Sequence, residues 1–338
     1  MGITLKDIAK ELKLSTTTIS KALQDYPDIS AKTKKKVHEY VKKVGYQPSV
    51  QAAYLRTKKT KLIGLIIPST ENQFFIEVIS GIISEAEKND YSVIVTISNE
   101  SQEREKKLIQ TLLNRKVDGI LMSLTAETVD LSPIREIMNT QTSLILFDRI
   151  SKLIECSKVH IDDKKMGALA TEHLIKKGCK KIANLRGRLI PQNSIDRFLG
   201  YKNTLEKYQL DFDPSRVAIS QNSSIEDGYE LTKKLFEHNI ELDSLVCFTD
   251  PLAIGALKYI NERKIPIPSS IKLVGFGNTL MGSLTNPGIT SINQDAVLMG
   301  EQAVQLFLRE QKDRKLNKNP SFKTIVLKTD LIERETSK

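Results

Sequence analysis

From Lys61 to about residue 290, short apolar runs alternate with longer amphipathic ones, and this alternation restricts the fold more than any other feature of the sequence. The runs at 62–67, 92–97, 119–123, 143–147, 158–161, 181–185, 244–248 and 272–276 are short and mostly apolar. They predict strands. Between them, apolar residues recur at helical spacing near 74–88, 102–114, 164–177, 194–208, 224–238 and 252–263. Strand–helix alternation implies parallel sheets built from right-handed crossovers. Two such units, about 61–160 and 161–290, are too long together for one core. A helix near 295–310 and a strand near 324–327 complete the pair.

The first 60 residues follow another pattern. Thr4-Leu5-Lys6-Asp7 has the form of a capping box, and Leu5, Ile8, Ala9 and Leu12 share one helical face. After a break at Lys13-Leu14, Ser15 caps a second helix through Leu23. Ser30 caps a third, whose Val37, Tyr40, Val41 and Val44 point one way and which Gly45 ends. Residues 1–60 hold 13 Lys/Arg against 5 Asp/Glu, a net +8 of the chain's +10. Three short helices with a tight first turn and that charge describe a helix-turn-helix reader of DNA. Thr16 and Thr17 then face base edges. Ser15, Thr18 and Ser20 suit phosphates, and Lys21 a phosphate or a guanine. A capped helix start with a solvated lysine face explains the same residues, and spacing alone leaves both readings open. Residues 49–56 are helix-compatible but too short to be stable alone. They suit a segment that folds on DNA, with Leu55 as a minor-groove wedge.

Charged residues at positions 6, 7, 10 and 11 leave no apolar leader, the longest apolar runs are far too short for a bilayer, and three scattered cysteines suggest no disulfide framework. These features predict a cytoplasmic protein with no membrane partner. The four histidines form no metal-binding or hydrolytic motif, and no phosphate loop or nucleophile elbow is present. No cofactor, metal site or enzymatic activity is expected.

Taken together, Thr4-Leu5-Lys6-Asp7-Ile8-Ala9, Leu14-Ser15-x-x-Thr18-Ile19-Ser20-Lys21, Ser30-x-x-Thr33, Gly45-Tyr46-x-Pro48 and Ala52-x-x-Leu55 closely resemble the headpiece and hinge of the lactose-repressor (LacI/GalR) family. Lys21 stands where that family usually has Arg, Ala53 where a hinge Arg is common, and Gln24 where Asn is common. The resemblance implies a multidomain chain: an all-α helix-turn-helix headpiece (1–48), a hinge helix and linker (49–60), and an α/β periplasmic-binding-protein-like core of two parallel-sheet subdomains (61–338). The core would place 61–160 and 291–322 in one subdomain and 161–290 and 323–338 in the other, with crossings near 160, 290 and 322. The resemblance also assigns Thr4, Ser30, Thr33, Tyr46 and Ala52 to the DNA-binding set.

In open parallel sheets, ligands bind beyond the carboxyl ends of the strands. The residues there are Ser69, Asp148-Arg149, Asp162-Asp163, Arg186, Thr249-Asp250 and Gly277-Asn278, with Phe74 or Phe75 able to cover an apolar ring face. The resemblance adds Arg197, in Ser194-Ile195-Asp196-Arg197-x-x-Gly200-Tyr201, as an effector contact. It also assigns that role to Asp148 and to the Thr249-Asp250-x-x-Ala253-x-Gly255-Ala256 motif. In Val274-Gly275-Phe276-Gly277-Asn278 the family's two acids are missing, and Ser223 replaces a frequent aromatic, which speaks against a simple free hexose.

The expected function is a sequence-specific transcription regulator, a repressor, that binds a pseudo-palindromic operator as a homodimer and answers to a small carbohydrate-like effector. The dimer is expected because the tail after Asp330 lacks the leucine heptads of tetrameric relatives. Phe75, Ile79, Leu108 and Leu112 are interface candidates, against the weightier alternative that each simply faces the sheet. The rival reading is a cytosolic sugar-binding or sugar-modifying protein whose basic headpiece serves another purpose.

Overall fold

The computed structural model describes residues 3–23, 25–46, 59–316 and 321–338. The chain divides into two compact units between Thr60 and Lys61. Ala52 and Leu55 lie outside the described residues.

The small unit holds α1 (Leu5–Leu12), α2 (Thr16–Leu23) and α3 (Ala31–Val44). The Thr4 hydroxyl accepts the Asp7 amide, and the Asp7 carboxylate accepts the Thr4 amide in return, at 2.9 Å. Lys13, at φ 52°, turns the chain out of α1. Ser15 accepts the Thr18 amide at 3.0 Å to open α2, and Ser30 accepts the Thr33 amide at 3.2 Å to open α3. Ile8, Ile19, Ala22 and Val37 are completely buried between the three helices. Each start and stop is local chemistry, which is why it was legible in the letters.

The large unit carries twelve strands in two sheets among the described residues. The first sheet comprises β1 (Leu62–Ile67), β2 (Ser92–Ile97), β3 (Gly119–Met122), β4 (Ser143–Phe147), β5 (Ser157–Ile161) and β11 (Thr324–Leu327), in the order β11-β5-β4-β3-β1-β2. The second comprises β6 (Ile182–Arg186), β7 (Val217–Ile219), β8 (Ser244–Cys247), β9 (Lys272–Phe276), β10 (Thr290–Ile292) and β12 (Leu331–Ile332), in the order β12-β10-β9-β8-β6-β7. All pairings are parallel except β10 with β12.

The helices that matter for the site are α4 (Gln73–Glu87), α5 (Gln102–Asn114), α7 (Asp163–Lys176), α8 (Gln192–Lys207), α9 (Ile225–Glu237), α10 (Asp250–Glu262) and α12 (Ala296–Lys315). Two shorter ones, α6 (Ser132–Met138) and α11 (Leu280–Ser283), were not expected, nor were β7, β10 and β12. Strands of two or three residues show no readable alternation, and a seven-residue helix offers barely two turns of periodicity.

The chain passes between the sheets after β5, after β10, and again after β11. The third crossing was expected near 322, which would put 324–327 in the second subdomain. In the structure Thr324 to Leu327 pair with Lys158 to Ile161 in the first sheet, so the crossing falls at 328–330. The parallel register beside β5 explains this: the strand completes the edge of the first sheet before the tail leaves. Of the interface candidates, Phe75 and Leu112 take the alternative position and are buried within the chain's own core. Ile79 and Leu108 are partly buried against the same core.

Three pairs of helices cross through facing glycines. At Gly81 and Gly300 an added Cβ would lie only 2.2 and 2.3 Å from the Val297 and Val78 carbonyl oxygens. Gly167 and Gly200 face the Arg197 and Lys164 carbonyls in the same way, and Gly228 and Gly255 those of Leu252 and Ile225. Here backbone packs on backbone with no room for a methyl group. Overpacking a filled interior typically costs about 1–3 kcal/mol, so Gly81→Ala should lower the core's stability to urea by at least that much. In an exposed helix the same substitution ordinarily stabilises, by about 0.5–1 kcal/mol, so the sign of the change tests the crossing.

Candidate functional site

The carboxyl ends of both sheets face one cleft. Its outer cavity measures about 380 Å3 and is lined by residues that follow β1 (Ser69, Glu71, Asn72, Phe75), β2 (Glu100), β4 (Arg149), β7 (Asn222–Glu226), β8 (Thr249, Pro251, Ile254) and β9 (Thr279, Met281). A small inner pocket of about 30 Å3 shares Asn72, Phe75, Arg149 and Thr249 with it and adds Asp148, Asn193, Arg197, Phe248, Phe276, Gly277 and Gln294.

The glycine crossings set this geometry. Gly81 and Gly300 lock α4 against α12, Gly228 and Gly255 lock α9 against α10, and Gly167 and Gly200 hold α7 to α8. The last crossing places Arg197 beside Asp163. The Arg197 guanidinium donates to the Asp163 carboxylate at 2.8 Å and to the Phe248 carbonyl at 2.7 Å. The rings of Phe248 and Phe276 lie 4.7 and 4.4 Å from it. Buried charge is tolerable only when so paired.

Asp148 approaches from the first subdomain with φ 54°, a left-handed turn that points the chain from β4 into the cleft. Burial raises its carboxyl pKa, opposed by Arg149 and Arg197. Arg149 lies 5.8 Å from the Phe75 ring and donates to both oxygens of Glu100 at 2.8 Å. Two further ion pairs span the cleft: Lys152 to Asp196 at 3.4 Å and Arg188 to Glu127 at 3.5 Å. In each pair one partner is exposed and the other only partly so, and pairs this open to solvent contribute on the order of 0–1 kcal/mol.

Of the nine expected effector residues, Ser69, Phe75, Arg149 and Thr249 line the outer cavity, and Phe74, Asp148 and Arg197 line the inner pocket. Asp250 and Asn278 line neither. The Asp250 carboxylate accepts the Thr279 amide at 2.7 Å, the Thr279 hydroxyl at 3.0 Å and the Ser291 hydroxyl at 2.6 Å. Asn278 accepts from Arg334 at 2.6 Å. Both residues brace the second sheet's loops behind the cleft. Reading the sequence missed Glu71, Glu100, Asn193, Asn222, Glu226 and Gln294. Only Glu100, just past β2, stood at a strand end that could have been read.

In the small unit, Thr16 and Thr17 are exposed at the start of α2. Ser15, Thr18, Ser30, Thr33 and Thr4 all serve helix caps. Lys21 pairs with Asp28, and Tyr46 packs partly buried against the three-helix core.

Two family models match. "Bacterial regulatory proteins, lacI family" covers residues 4–49, and "Periplasmic binding protein domain" covers residues 63–315. The HTH-type transcriptional regulator RegA of Clostridium saccharobutylicum is 30% identical over the whole of both chains. The chain belongs to the LacI family. Catabolite control protein A of Priestia megaterium is 29% identical over 91% of this chain and 92% of that one. The Lac repressor dimer bound to operator and the anti-inducer ONPF shares the fold, at TM-score 0.86, 23% identity and 100% and 99% coverage. A helical headpiece followed by two mainly parallel sheets is thus the LacI-family architecture. Among the described residues no helix is long and apolar enough to cross a membrane.

Glu105 on α5 reports on the cleft wall from behind. It accepts the Thr125 amide and the Thr128 hydroxyl, each at 3.0 Å, while neighbouring Glu100 accepts the Ala126 amide at 2.7 Å. Burial pushes its carboxyl up to about 7. An acid raised in the folded state binds its proton more tightly there than in the unfolded chain, so its contribution falls as pH climbs from about 4.5 to about 7 and is level above. Glu105→Gln mimics the protonated form and can keep both contacts. Its melting temperature should lose less than the parent's between pH 5 and pH 8, and equal slopes would remove Glu105 from that dependence.

Proposed function

We propose that this chain is a cytoplasmic, dimeric repressor whose headpiece reads a pseudo-palindromic operator and whose core cleft binds a small carbohydrate-like effector. The observation that carries this reading is the pairing, in one chain, of two features. One is a capped three-helix unit with Thr16 and Thr17 exposed at the start of its second helix; the other is a two-sheet cleft lined by hydroxyls, amides and carboxylates. The excess of +8 in the first 60 residues supplies attraction to phosphates, while the near-neutral core leaves DNA to the arms.

Thr16 and Thr17 are the base readers, acting through hydroxyls or through methyl contact with thymine. Lys21 exchanges Asp28 for DNA on docking, since exposed ion pairs dissociate at little cost. Ala52 and Leu55 belong to the hinge that orders on the duplex. Effector binding favours one cleft closure over another, and that shift alters hinge order and operator affinity by population shift. No catalytic step is needed.

Selection from a random duplex pool, followed by salt titration on selected and scrambled duplexes, tests the DNA half. The parent should bind the selected site at least about a thousandfold more tightly at physiological salt. Thr17→Ala should erase about 1–3 kcal/mol of that discrimination, with the salt slope unchanged because no phosphate contact is lost. Equal affinity for both duplexes at every salt concentration would leave only a sugar-binding protein with a basic arm.

A further inference from the structure

The two parts of the cleft carry an unusual charge balance. Among the described residues, the cations lining them are Arg149 and Arg197, against the carboxylates Glu71, Glu100, Glu226 and Asp148. Both cations are already engaged, Arg149 by Glu100 and Arg197 by Asp163, each at 2.8 Å. Even with Asp148 protonated, Glu71 and Glu226 remain without a cation lining the cleft to offset them, because Glu100 is matched by Arg149 and Asp163 by Arg197.

Helix ends supply the opposing field. Asn72, Ser224 and Thr249, the N-caps of α4, α9 and α10, all line the outer cavity. Each helix start is worth on the order of half a positive charge, and acidic residues in the first turn offset it. The caps already take the amides of Phe74, Asp227 and Leu252, while Glu226, Asp227 and Asp250 occupy first turns. A phosphate entering here would find one first-turn amide of each helix already taken by its cap, and the carboxylates of Glu71 and Glu226 beside those that remain.

The inner pocket points to the group that does fit. Gln294 is 95% buried (5% exposed), lines this pocket, and its Nε2 has no hydrogen-bond partner among the described residues. A buried unmet donor is costly unless a ligand satisfies it. Asp148 and the backbone of Gly277 stand on the same pocket. The space, about 30 Å3, is small but large enough to admit a water or a ligand hydroxyl. In the outer cavity Phe75, Pro251, Ile254 and Met281 present apolar surface suited to the C–H faces of a sugar ring.

We propose that the cleft selects an uncharged saccharide or glycoside over its phosphate esters, and that one ligand hydroxyl enters the inner pocket to accept from Gln294. This rests on the effector reading above and narrows it to a charge class and an anchoring residue. The ligand's hydroxyl donates in turn to Asp148.

The test uses the full chain and matched pairs: ribose with ribose 5-phosphate, glucose with glucose 6-phosphate, maltose with maltose 6′-phosphate and cellobiose with cellobiose 6′-phosphate. Thermal shift identifies binders, and calorimetry measures them on the parent and on Gln294→Met, which keeps size and removes the donor. A neutral sugar should bind, its ester should bind at least about tenfold more weakly, and Gln294→Met should lose about tenfold for the neutral sugar. The inference is overturned if an ester binds more tightly than its parent sugar, if no neutral sugar in the panel binds, or if Gln294→Met binds unchanged. Sequence-specific DNA binding, measured on the same preparations, separates these outcomes. Its persistence with a failed panel rejects the ligand class alone, and its absence rejects the regulator reading.

Discussion

The cleft depends on backbone meeting backbone at three helix crossings. Gly81 with Gly300, Gly167 with Gly200, and Gly228 with Gly255 allow helices to approach so closely that carbonyls fill the space a Cβ would need. Each crossing sits one or two turns from a helix start, and those starts form the cleft walls. The spacing between α4 and α12, between α7 and α8, and between α9 and α10 is thereby fixed by sterics, which are steep, and not by exposed charge pairs, which are weak. Such a frame holds Arg197, Asn72, Ser224 and Thr249 in place while the cross-cleft pairs Lys152–Asp196 and Arg188–Glu127 can open and close at low cost.

Electrostatics then divides labour along the chain. The headpiece collects the excess positive charge and spends its hydroxyls on caps, leaving Thr16 and Thr17 exposed at the helix end expected to face bases. The core neutralises its own buried cations, so that polarity in the cleft comes from hydroxyls, amides and carboxylates. On the reading proposed above, a sensor built this way favours neutral ligands over the anions that attract its arms. The same neutralisation makes Arg197 a fixed floor of the site and leaves it little freedom to act as a charge clamp.

Much of the fold was legible because its signals are local. Caps at Thr4, Ser15 and Ser30, and apolar runs such as 62–67 and 143–147, declare themselves within a few residues. The short strands β7, β10 and β12 did not, since two or three residues carry no period, and the third crossing was misplaced because sheet membership of 324–327 is decided by a distant partner, β5. The site divides in the same manner. Ser69, Asp148, Arg149 and Thr249 follow strands and could be read; Asn193 and Gln294 enter through helix placement and a crossing, which only the assembled sheets reveal. Asp250 and Asn278 matched a motif position, yet their side chains are consumed by Thr279, Ser291 and Arg334. Position after a strand says where a residue is, and not whether its hydrogen bonds remain available.

The central claim is that cleft and headpiece form one thermodynamic device, and reciprocity tests it most directly. Calorimetric titration of a binding sugar into the full chain, alone and saturated with its selected duplex, gives two sugar affinities; duplex titration with and without the sugar gives two DNA affinities. Coupling of about 1–3 kcal/mol requires both ratios to be the same factor, between about 5 and 150. Sugar affinity that is unchanged by DNA, with DNA affinity unchanged by sugar, would contradict the account.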